Sequence, residues 1–155
     1  MTTGSAVAQG RSTILVVDDE PAILTLLRRV LEEQGYAVLT AASWDEGLRV
    51  CNGRKGPIDL VLMDIFLPQK PGQTEINRDE PTQNGLKLVR WLKAVRAQMK
   101  TIYISSLPGC LIEALGGIPQ GDVLLPKPFH RQTLIETVKK VLEGKPVQPF
   151  PALSN

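Results

Sequence analysis

Short apolar runs alternate with amphipathic stretches along most of this chain. Ile14 to Val17 is a continuous apolar run, as expected for a strand covered on both faces of a sheet. It ends in Asp18-Asp19-Glu20, and Pro21 then stands at the start of a helix, where no internal partner awaits the missing N–H. Ile23, Leu27, Val30 and Leu31 share one helical face, with Arg28, Arg29, Glu32 and Glu33 on the other. Gly35 is placed to end that helix in a left-handed conformation. Ala37 to Ala41 reads as a second strand. Ser43 followed by Glu46 has capping-box spacing for a second helix running to about Cys51.

The alternation continues. Ile58 to Met63 predicts a third strand ending at Asp64. The polar segment 69–83 holds Pro71, Gly72 and Pro81 without apolar periodicity and reads as an inserted loop. Asn84 can cap the next helix, with Leu88, Leu92 and Val95 inward and Lys87, Arg90 and Arg96 outward. Thr101 to Ile104 predicts a fourth strand, Cys110 to Leu115 a short helix, and Val123 to Leu125 a fifth strand. After Pro126-Lys127-Pro128-Phe129, Leu134, Val138, Val141 and Leu142 mark a last amphipathic helix. Trp44, Trp91 and Tyr103 are expected in packing, and His130 at an exposed helix start. The organisation this implies is a disordered segment 1–12, one domain over 13–143 containing the 69–83 loop, and a proline-rich tail 144–155.

Composition changes this picture only by exclusion. The 155 residues suit one domain, and 43% hydrophobic residues suffice for a core. A net charge of +2 gives no argument for nucleic acid or a charged membrane surface. No apolar run approaches the roughly 20 residues that span a bilayer. Cys51 and Cys110 lack metal-ligand spacing, so a reduced, cytoplasmic setting is the simplest expectation.

Strand–helix alternation predicts an α/β fold with a parallel sheet covered on both faces. Ligands in such folds bind beyond the carboxyl ends of the strands, near the point where strand order reverses. That rule selects Asp18 and Asp19 after the first strand, Asp64 after the third, Ser105 after the fourth and Lys127 after the fifth. Three neighbouring carboxylates repel one another unless a cation offsets them, and Mg²⁺ suits such an oxygen-rich site. A carboxylate can attack phosphorus to form an aspartyl phosphate, and a lysine and a hydroxyl can stabilise the charged oxygens. Taken singly, each residue has a commonplace reading as a helix cap, a strand end or a loop residue. Their joint placement after successive strands is the informative signal.

With Asp18-Asp19, Asp64 followed by Leu67-Pro68, Ser105 and Lys127-Pro128-Phe129, the chain resembles the response regulator receiver family from about Thr13 to Leu142. The resemblance implies a flavodoxin-like, doubly wound five-stranded sheet of order 2-1-3-4-5. It implies that Asp64 accepts a phosphoryl group from a histidine kinase, a phosphotransfer protein or a small donor. Asp18, Asp19, Asp64 and the main-chain carbonyl of Phe66 would hold Mg²⁺, Ser105 would hydrogen-bond the phosphoryl group, and Lys127 would pair with it. A cis Lys127–Pro128 peptide is also implied. Such a protein is no conventional enzyme, because it catalyses only its own phosphorylation and dephosphorylation. Its partners would be the kinase or phosphotransfer protein and a downstream protein target, with no direct nucleic acid or membrane contact. A weak homodimer stays open, and no output domain is expected within the chain.

Three departures from the family pattern stand out. The 69–83 insertion adjoins the acceptor and is expected to contact partners. Leu124 replaces the aromatic usual three positions before the lysine, so the output is expected to differ from the common aromatic switch. Phe66 and Leu107 are apolar where the family positions hydrolytic water, which predicts slow loss of the phosphoryl group. Other classes fit the sequence less well. Haloacid-dehalogenase-like phosphatases need a carboxylate where Phe66 stands, and nucleotide-binding glycine motifs are absent. A phosphorylation-independent interaction module on the same fold remains the alternative.

Overall fold

The computed structural model describes residues 10–67 and 84–150. The expected 69–83 loop lies outside them, as do Pro68, most of the 1–12 segment and the last five residues of the tail. The described elements are β1 (Thr13–Val17), α1 (Pro21–Glu33), β2 (Ala37–Ala41), α2 (Trp44–Gly53), β3 (Leu60–Asp64), α3 (Gly85–Val95), β4 (Lys100–Ser105), α4 (Gly109–Ala114), β5 (Val123–Pro126) and α5 (Arg131–Glu143). The strands form one parallel sheet in the order β2-β1-β3-β4-β5. The parallel α/β sheet expected from the alternation, with the doubly wound strand order implied by the resemblance, is therefore the one observed.

All five residues of β1 and all five of β3 are buried, which is why they read as unbroken apolar runs. Their side chains alternate between two cores. Leu15, Val17, Met63 and Tyr103 join Trp44, Leu88, Leu92 and Ile112 on the α2–α3–α4 face. Ile14, Val16, Leu62 and Ile104 join Leu27, Leu31, Leu134 and Val138 on the α1–α5 face. Burying a whole Leu or Ile stabilises by roughly 1.5–3 kcal/mol, so the central strands dominate the energetics.

Local signals place the helices. Pro21 opens α1, and Gly35 follows it at φ +94°. The capping box of α2 is reciprocal in a shifted form: Glu46 N–H donates to Ser43 Oγ at 3.3 Å, while Glu46 Oε2 accepts from Ala42 N–H at 2.7 Å. Asn84 caps α3 by accepting from Lys87 N–H at 3.1 Å. His130 stands exposed at the start of α5.

The inward face of α3 differs from expectation. Leu88 and Leu92 are buried, but Val95 is 67% exposed and Trp91, expected in packing, is 60% exposed. The helix ends at Val95, and Arg96 leaves helical phase at φ −130°, ψ 75°. Its guanidinium turns inward and donates to the carbonyls of Cys51 (2.8 Å), Arg54 (2.7 Å) and Gly56 (2.8 Å). Three carbonyls in the last turn of α2 and just beyond it thus outcompete solvent for a side chain whose spacing suggested an outward position.

Candidate functional site

At the carboxyl ends of β1, β3, β4 and β5, short polar turns follow the buried strands. β1 delivers Asp18, whose side chain is fully buried, and Asp19, which is exposed. β3 delivers Asp64, only 5% exposed. One carboxylate oxygen from each of Asp18, Asp19 and Asp64 lies within 4.8 Å of the others. Lys127, from the turn after β5, donates to Asp18 Oδ2 at 2.8 Å and Asp64 Oδ2 at 3.4 Å. The Lys127–Pro128 peptide is cis.

A single local device sets three of these side chains. Asp18 Oδ1 accepts from Glu20 N–H at 2.9 Å, Asp64 Oδ1 from Phe66 N–H at 3.1 Å, and Ser105 Oγ from Leu107 N–H at 2.9 Å. Each is a side chain bonding the backbone two residues on, a turn that Asp and Ser favour. In both aspartates it holds one oxygen and leaves the other facing Lys127. Ser105 lies one residue beyond Ile104, the residue paired with Asp64 across the sheet. The Ser105 carbonyl accepts from Lys127 N–H at 2.8 Å, tying the fourth and fifth strand ends together. No hydrogen bond links the Ser105 hydroxyl to the carboxylates.

The floor of the site demands glycine at the start of α3. A Cβ on Gly85 would overlap the Asp64 carbonyl oxygen and come within 2.8 Å of Met63 Cγ. Gly85 N–H donates to the Ile65 carbonyl at 2.8 Å, so this helix start is bonded directly to the turn carrying Asp64. Among the apolar neighbours, Phe66 is 48% exposed and Leu107 half-buried.

The electrostatics reflect the crowding. Burial and then the charge of Asp18 push the Asp64 carboxyl up to about 7, against the attraction of Lys127. Burial and Asp18 also raise Asp19. Burial works against the Lys127 charge, but its hydrogen bond to Asp18 and the Asp64 carboxylate outweigh that, and its pKa rises. One lysine does not neutralise three carboxylates. The donor set is all oxygen and carries excess negative charge, which fits a hard divalent cation such as Mg²⁺.

Sequence reasoning thus selected the residues that meet: Asp18, Asp19, Asp64 and Lys127 converge, and Ser105 adjoins them. It missed the amides of Glu20 and Phe66 and the close approach of Gly85. The first two had a readable signal, an Asp at a strand end followed by a turn; the third needs the tertiary packing.

Comparison with known proteins agrees with this arrangement. The family model described as response regulator receiver domain matches residues 14–139. The chain is 32% identical over 137 residues to the sensor kinase CckA of Brucella abortus, covering 86% of this chain and 13% of that protein. It is 31% identical over 131 residues to the transcriptional regulatory protein GlrR of Escherichia coli, covering 84% of this chain and 26% of that protein. It therefore corresponds to a minor part of either relative's length. Among solved structures, a receiver domain protein from Clostridium thermocellum superposes with a TM-score of 0.68 at 29% identity, covering 86% of this chain and 95% of that one.

Proposed function

Since the chain belongs to the response regulator receiver domain family, we propose that Asp64 accepts a phosphoryl group from a histidine kinase or a phosphotransfer protein in a Mg²⁺-dependent reaction. The observation that carries the reading is the convergence of Asp18, Asp19 and Asp64 within 4.8 Å, with the Lys127 amino group on two of them. Asp64 Oδ2 is the attacking atom, because Oδ1 is held by Phe66 N–H. An O–P bond forms as the donor's N–P or O–P bond breaks, and the donor retains the leaving electron pair.

Lys127 then exchanges Asp64 Oδ2 for a phosphoryl oxygen while keeping Asp18. Ser105 already accepts at Oγ from Leu107 N–H, so its hydroxyl proton is free to bond a second phosphoryl oxygen. Asp18, Asp19, Asp64 and the Phe66 carbonyl would hold Mg²⁺, which would supply positive charge against the carboxylates and the transferred group. The protein acts on itself rather than turning over a substrate, and it works in the cytoplasm by changing which downstream protein it binds. Phe66 and Leu107 slow hydrolysis because neither side chain can orient a water.

Incubation with Mg²⁺ and acetyl phosphate, followed by intact-mass measurement, tests the chemistry. The wild type should gain one phosphoryl adduct, and neither Asp64→Asn nor EDTA-treated wild type should. An adduct that survives in Asp64→Asn would overturn the site assignment.

No helix among the described residues is long and apolar enough to cross a membrane. The receiver reading, rather than the phosphorylation-independent alternative, is favoured by the complete acid and lysine cluster.

A further inference from the structure

Among the described residues β5 is an edge strand, joined to the sheet only through β4. An exposed strand edge offers unpaired backbone groups and is normally covered or blunted. Here the chain returns to it after α5. Residues Lys145, Pro146 and Val147 border a cavity of about 770 Å³ at the start of β5, beside Asp122 and Val123. Val147, Gln148, Pro149 and Phe150 border a second groove of about 600 Å³ between α4 and β5, which reaches from Ile118 and Leu124 to Ser105 and Pro126. Phe150 also packs against the core cluster on the opposite sheet face.

The burial pattern of this segment has a period of three. Val147 and Phe150 are half-buried, while Pro146, Gln148 and Pro149 are exposed. Polyproline-type backbone has three residues per turn and places such residues on one side. The segment does not extend the sheet: no backbone hydrogen bond among the described residues joins it to β5, and Pro146 and Pro149 have no N–H to offer. Pro146 and Pro149 also stiffen the backbone of the segment in advance.

We propose that residues 145–150 of this chain act as a proline-containing strap that closes the α4–β5 face in cis. Any partner using this face must first displace Val147 and Phe150. Tethering gives the segment a high effective concentration, so a weak contact suffices to keep the face closed. The inference does not depend on Asp64 accepting a phosphoryl group.

The test uses the full chain and the double variant Val147→Ser/Phe150→Ser, which leaves the sheet interior untouched. Hydrogen exchange over residues 118–126 should rise by about threefold or more in the variant, with β1 and β3 unchanged. A fluorescent peptide with the sequence of residues 145–150 should bind the variant saturably, and the wild type about tenfold more weakly or worse. Unchanged exchange over 118–126 would overturn the proposal. So would a peptide that binds both proteins alike, or neither.

Discussion

The two ends of the strand row that carries the site are built very differently. Around β1 and β3, every strand residue is buried, both aspartates are pinned by backbone N–H groups, and Gly85 packs against the Asp64 carbonyl. Around β5, the strand has four residues, of which only Leu125 is buried, and α4 has six. Gly116 and Gly117 follow α4 at φ +109° and +72°, conformations that side chains rarely adopt. The acid site therefore stands on a close-packed floor, whereas the face beside Ser105 rests on few buried contacts. The chemistry needs fixed oxygens, and a surface that changes partners needs low local stability.

Substitutions can break this contrast in graded steps. The largest effect is expected at Gly85→Ala, because the added methyl meets backbone that cannot yield without moving Asp64. A loss of about 3 kcal/mol in urea unfolding is expected, and a loss under about 1 kcal/mol would show that the floor is not rigid. Lys127→Met leaves the buried Asp18 charge without its partner. In metal-free buffer it should cost about 2 kcal/mol, much of it restored by excess Mg²⁺. Failure of Mg²⁺ to restore stability would separate the lysine from the acid cluster.

Asp64→Asn removes a carboxylate that Asp18 repels, so it should stabilise the metal-free protein by about 1 kcal/mol at pH 8. The sign follows from the raised Asp64 value. Stability associated with this group is full below 3.8 and is lost as pH rises through about 7, so the advantage of asparagine should shrink at pH 5. Thermal melts at the two pH values read this directly, and an equal gain at both would refute it. The smallest effect belongs to the β5 side. Leu124→Ala, at a half-buried position, should cost about 1 kcal/mol and leave Mg²⁺ affinity unchanged. A shift in Mg²⁺ affinity would mean that the two regions are not separable.

What was legible in the sequence follows the same divide. The buried strands are continuous apolar runs, and each site residue directly follows one, so sheet and acid cluster could be read by eye. The α3 surface could not, because Val95 is the last helical residue and Arg96 keeps helical spacing in sequence after the helix has ended in space. Gly85 follows the Asn84 cap, and only packing reveals that the Asp64 backbone excludes a side chain there. The tail read only as a proline-rich end, since the half-burial of Val147 and Phe150 depends on an edge strand more distant in sequence. Ser105 was selected by its position, and its bond to Leu107 N–H shows how that position is held.

The central claim is that the acyl phosphate forms on Asp64. Reduction with borohydride after phosphorylation converts an aspartyl phosphate to homoserine, which peptide mass spectrometry can place in the chain. The account predicts homoserine at position 64, dependent on Mg²⁺ and lost in Asp64→Asn. Homoserine at position 18 or 19 instead, or no reduced residue in protein that carries the adduct, would contradict it.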